Sequence, residues 1–128
     1  MENERAAEIM IGGNAYELIL TTGATKQIAK RYGGLASLGD KLMKAENFEN
    51  ALDELIWLIA LLANQSILIH NFQHPEAKWD PLTEETIELL TSPHDLAAYK
   101  DAIMESMFRG TKRYVESELE PEKNASAG

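Results

Sequence analysis

His70 and His74 stand four residues apart, the separation that puts two imidazoles on one helical face, and Glu76 and Asp80 follow as oxygen donors. A transition-metal site would need a third ligand in fixed geometry. Pro75 pushes the residue before it out of the helical region and breaks that face, so solvated loop histidines are expected instead. Ser92, His94 and Asp95 carry the letters of a hydrolase triad. A triad places its base between nucleophile and orienting acid, with members drawn from distant positions, which neighbours at a helix start do not achieve. A capping serine, a proline at the first helical position and an acid at the third explain them. Glu84, Glu85 and Glu88 would need a cleft and a shifted pKa for acid–base work, and an exposed helix start accounts for all three. Gly12-Gly13 and Gly33-Gly34 match neither GxxxxGKS/T nor GxGxxG and suit a turn and a helix C-cap. No catalytic residue, metal ligand or cofactor is assigned, and the chain is expected not to be an enzyme.

The elements around these residues are easier to place. Ile9, Met10 and Ile11 suit a short strand, and Gly12-Gly13-Asn14 tolerates the positive φ of a hairpin turn. Ala15–Leu20 alternates, with Tyr16, Leu18 and Leu20 on one face and Glu17 on the other. Thr21 or Thr22 caps a helix carrying Ala24, Ile28 and Tyr32, which Gly33-Gly34 ends. Ser37 starts a short helix running to about Ala45, with Leu38, Leu42 and Met43 as its apolar positions. Asn47 caps the central helix, from Phe48 to about Ile69, whose first turns align Phe48, Leu52, Leu55, Ile56 and Ile59. From Leu55 onward its polar face disappears, so it must be covered all round, by its own subunit or in part by a second copy. Asn71–Leu82 reads as a loop; Thr83 caps a two-turn helix, and Ser92 starts a last helix bearing Leu96, Tyr99, Ile103, Met107 and Phe108. Gly110 either ends that helix or is passed over at a cost of about 1 kcal/mol, with Tyr114, Val115 and Leu119 continuing the stripe. The expected fold class is α+β, mostly α-helical, with an N-terminal β-hairpin followed by four to five helices. Residues 1–119 are expected to form one domain, and 120–128 a disordered tail with no apolar side chain larger than alanine. A lone hairpin is only marginally stable, so it packs on a helix or pairs through a free edge with another chain.

The hairpin ending in AYELILTTGATKQIAKRYGGL, the helix NFENALDELIWLIALLANQSI and the unit LTEETIELLTSPHDLAAYKDAI together span residues 9–110. In order, spacing and length they resemble the tail assembly chaperones of long-tailed (Siphoviridae-type) bacteriophages and prophages. The resemblance implies a non-enzymatic role in the cytoplasm of the bacterial host during virion morphogenesis. The chain would bind the tape measure protein, keep that long, helical, apolar client soluble, and yield it to the tail tube protein. It also implies that a longer form arises by programmed frameshift. Glu122-Lys123-Asn124 can be encoded with the slippery run A AAA AAC, which the gene sequence tests directly.

Composition agrees with a protein-binding module. The 128 residues hold 45% hydrophobic side chains and no cysteine, so disulfides and thiolate zinc sites are excluded. The longest uninterrupted apolar run, Leu55–Ala63, is nine residues, short of the roughly 18 of a spanning helix, and neither a membrane nor a leader segment is expected. The net charge is −9, with 6 basic and 9 acidic residues in 1–64 and 6 and 12 in 65–128. That argues against nucleic-acid binding, which needs a basic patch to release counterions, and favours basic or apolar partners. The alternative function is thus an acidic adaptor or regulator that occupies a basic protein surface as a nucleic-acid mimic. Lys26, Lys30, Arg31, Lys112 and Arg113 interrupt the acidic faces and count against it. The candidate partner-binding residues are Trp57, Leu58, Leu61 and Leu62 on the apolar helix, with Phe72 and Trp79 beyond it. For both tryptophans, packing onto their own domain is the favoured reading, with partner contact as the alternative.

Overall fold

Gly12 and Gly13 adopt φ of 57° and 83°, the paired positive values that a two-residue hairpin turn needs to match strand twist. They join β1 (Ala6–Ile11) to β2 (Asn14–Ile19) in an antiparallel sheet of two strands, in register from Ala6↔Ile19 to Ile11↔Asn14. The computed structural model describes residues 6–43 and 48–127. β1 begins three residues before the expected Ile9, because Ala6 and Ala7 are also buried. Five helices follow: α1 (Thr22–Tyr32), α2 (Leu35–Met43), α3 (Phe48–Gln73), α4 (Glu84–Leu90) and α5 (Pro93–Ala127). The chain is a mostly helical α+β protein with an N-terminal hairpin, as its patterning predicts.

Local chemistry sets most of the helix ends. Thr21 Oγ1 accepts from the Ala24 N–H at 3.0 Å, and Gly33 closes α1 in the left-handed region at φ 89°. Thr83 Oγ1 accepts from the Thr86 N–H at 3.1 Å and opens α4. Before α5, the Ser92 N–H donates to Asp95 Oδ2 at 2.9 Å while the Asp95 N–H donates to Ser92 Oγ at 3.1 Å, a reciprocal capping box. Ser92 and Asp95 are thus used up as a cap. Three boundaries differ from expectation. α2 starts at Leu35, two residues before Ser37, directly after the positive-φ pair Gly33-Gly34 that separates it from α1. α3 runs about one turn past Ile69 to Gln73, because the stop signal is Pro75 acting on His74 and nothing in Asn71–Gln73 opposes helix. α5 passes through Gly110 and remains helical to Ala127, where a disordered tail was expected from 120. Asn47 lies outside the described residues, as do the side chains of Leu42, Met43, Phe48, Tyr114, Val115 and Leu119.

The hairpin lies against α3 and α5, with β2 nearer α3 and β1 nearer α5. Ile9, Ile11 and Leu18 join Leu55, Leu58, Ile59, Leu62 and Ile67 of α3, Ile87 of α4, and Leu96, Ile103 and Met107 of α5 in one buried cluster. By length and composition Ala51–Gln73 of α3 is long and apolar enough to cross a membrane, but half of that span is buried against the rest of the chain. Gly110 marks where α5 passes the end of the hairpin: a Cβ there would come within 2.9 Å of Leu20 Cβ. α5 also covers the outer edge of β1. The Tyr99 hydroxyl donates to the Met10 carbonyl, and Arg109 Nη1 donates to the Ala6 carbonyl at 2.6 Å.

Candidate partner-binding surface

Each residue turns an α-helix by about 100°, so Trp57, Leu61, Leu68 and Phe72 fall within roughly 60° of one another on α3. The C-terminal half of this stripe faces outward, while Trp57 and Leu61 pack against the core. Phe72 is 88% exposed and Leu68 59% exposed, while Trp57 and Leu61 are half-buried. Leu58 and Leu62 lie about 70° and 110° round the helix from the middle of the stripe and are fully buried in the core. They cannot meet a partner, and their place among the interface candidates is corrected for that reason: adjacent helical residues do not share a face. Leu68, not anticipated from the sequence, takes their place; its i, i+4 spacing from Phe72 was the available signal.

Trp57 is held by its neighbours. The Arg31 guanidinium sits 4.5 Å from its ring centroid, and the Tyr32 ring meets it edge-on at 5.9 Å. Arg31 also donates from Nε to Glu54 Oε1 at 3.2 Å, the Tyr32 hydroxyl donates to the same oxygen, and Lys41 Nζ lies 3.8 Å from Glu54 Oε2. Burial works against the Glu54 carboxylate, but the hydrogen bonds from Tyr32 and Arg31 and the charges of Arg31 and Lys41 outweigh it and hold its pKa below the usual carboxylate value. Burial and the bond to Glu54 push the Tyr32 phenol well above its ordinary value, so it stays neutral. Lys26, Lys30 and Arg31 wall a shallow basic groove onto which Trp57 opens.

The far end of the stripe is built by the loop after α3, which is tied back along the helix. Asn64 Nδ2 donates to the Leu82 carbonyl at 2.8 Å, and its Oδ1 accepts from the Leu82 N–H at 2.7 Å. Two turns further on, Asn71 grips Trp79 in the same two-pronged way, at 3.0 and 2.8 Å. His70 Nε2 pairs with the Ala77 carbonyl at 2.8 Å. Trp79 then stacks on the His70 ring, 3.5 Å between centroids and 7° from parallel, yet stays 57% exposed. His70 is therefore a platform for Trp79. His74 lies nearby, its ring 4.9 Å from that of His70, with Nδ1 3.8 Å from Glu76. Among the described residues no group of three His, Asp or Glu side chains is arranged to hold a metal ion.

Between the outer edge of β2 and the C-terminal end of α3 runs a second groove of about 840 Å³, lined by Glu8, Tyr16 and Glu17 of the hairpin, Ile69 and His70 of α3, and Trp79 and Asp80 of the loop. Comparison with family models, curated proteins and solved structures gives no match to this chain.

Proposed function

We propose that this chain is a non-enzymatic tail assembly chaperone of a long-tailed phage or prophage, binding the tape measure protein until the tail tube protein replaces it. The observation that carries this reading is the exposed pair Leu68 and Phe72 at the C-terminal end of α3, prolonged by exposed Trp79 and continued inward by half-buried Leu61 and Trp57. Exposed large apolar side chains grouped on one helical face mark a protein-binding surface, and a helical apolar client suits a helix-against-helix contact. The residues with catalytic spelling support it as well, since Ser92 and Asp95 are engaged in a cap and His70 in a stack. The acidic balance of −9 favours a second reading, an adaptor for a basic protein surface.

Co-expression with the tape measure protein encoded downstream separates the two. Capture of a soluble complex, with the client insoluble alone, is the expected result, and Leu68→Ser/Phe72→Ser is expected to abolish it without loss of fold. Success only with a frameshift-extended form would move the grip into the extension. Failure with both forms, together with salt-sensitive binding to a basic protein, would favour the adaptor.

A further inference from the structure

We propose that the groove beside β2 is a strand-addition site for an extended segment of another protein carrying lysine or arginine. Its occupant need not be the tape measure protein.

The register determines which backbone groups are available. In a two-residue hairpin the flanking residues Ile11 and Asn14 form a hydrogen-bonded pair, and pairs then alternate along the ladder. Met10↔Ala15, Glu8↔Glu17 and Ala6↔Ile19 are the pairs that turn their N–H and C=O groups outward. On the β1 side α5 has taken the carbonyls of Met10 and Ala6. On the β2 side, among the described residues, no hydrogen bond reaches the outward groups of Ala15 and Glu17. These groups border the groove, whose far wall is Ile69, His70 and Trp79. An exposed edge with apolar and aromatic contacts alongside is what an added strand requires: main-chain bonds supply affinity and alternate side chains supply specificity.

Charge selects the occupant. Glu8 and Glu17 oppose each other directly on one face of the sheet, and Asp80 lines the same groove. Like charges directly opposite across a ladder are destabilising. Among the described residues no lysine or arginine lines the groove, and neither glutamate has an ion-pair partner. A second copy of this chain pairing β2 to β2 would bring two more glutamates to that face. A guest strand with a basic side chain facing Glu8 and Glu17, and an apolar one near Trp79, satisfies both features.

The test uses the full chain and a nine-residue peptide alternating lysine with valine. Saturable binding is expected, with slowed hydrogen exchange at the Ala15 and Glu17 amides. Glu8→Gln/Glu17→Gln is expected to weaken binding about five- to tenfold. A peptide with alternate backbone amides methylated keeps its charge but cannot pair, and is expected not to bind. Ala15→Pro removes only an outward N–H, so it should keep the far-ultraviolet spectrum and lose the peptide. Equal binding of the methylated peptide, or unchanged affinity in the glutamine variant, would overturn the proposal. So would absence of any peptide binding, or a concentration-dependent doubling of mass that Ala15→Pro abolishes.

Discussion

At Gly110 two costs compete. Glycine inside a helix gives up about 1 kcal/mol relative to alanine, so Gly110→Ala ought to stabilise α5. The methyl group would arrive 2.9 Å from Leu20 Cβ and 3.0 Å from its Cδ2, and the first of these atoms is bonded directly to Cα, so no rotamer change moves it away. Overpacking of this kind costs about 1–3 kcal/mol, so the substitution is expected to lower the urea midpoint; a raised midpoint would mean that the hairpin end yields. Glu54 supports a pH prediction. Its folded pKa lies below the ordinary 4.5, so its contribution is complete above the unfolded value and is lost as pH falls through the folded one. Glu54→Gln should therefore lower stability by about 1 kcal/mol at neutral pH. Denaturation curves at a series of pH values should show the gap to wild type closing below about pH 4.5. A gap constant down to pH 3 would rule out the carboxylate as its source.

At the scale of elements, α3 carries two faces with opposite expectations. Leu62→Ala, inside the core, should cost about 2–5 kcal/mol. Phe72→Ser, on the stripe, should change stability by no more than about 0.5 kcal/mol while reducing client capture; a large loss of stability would place Phe72 in the fold instead. The strap after α3 makes a further prediction. Asn71→Ala leaves both backbone groups of Trp79 without their partner, so tryptophan fluorescence should shift to the red and quench more readily, whereas a stack on His70 that holds alone would leave the spectrum unchanged. These elements also show how far the sequence was legible. The turn at Gly12-Gly13, the threonine caps and the Ser92–Asp95 box were readable because each depends on residues within three or four positions. The existence and apolarity of α3 were readable for the same reason. Which way Leu58 and Leu62 point was not, since that depends on where the hairpin and α5 settle. The Asn64 and Asn71 clamps reach 18 and 8 residues along the chain, to a loop whose course nothing local dictates. The groove beside β2 exists only once hairpin, helix and loop are assembled.

At the scale of the whole molecule, the two grooves differ in the charge of their linings. Lys26, Lys30 and Arg31 stand beside Trp57, while Glu8, Glu17 and Asp80 gather at the opposite end of α3. Solvent-exposed charges of this kind act over a Debye length of about 8–10 Å at ordinary ionic strength. Binding of a basic partner at the acidic end should thus weaken steeply between low and high salt, while capture on the apolar stripe should persist; titrations at two salt concentrations distinguish them, and equal salt dependence would merge the two surfaces into one. The clasp of Tyr99 and Arg109 on β1 has a further consequence. In the language of polymer growth, the hairpin is a unit of functionality one: a strand joins on the β2 side, and the other side is closed to propagation. Chains that grow edge to edge need two reactive ends, so this fold supplies a terminator. Added in excess to sheets that would otherwise lengthen, it should shorten them.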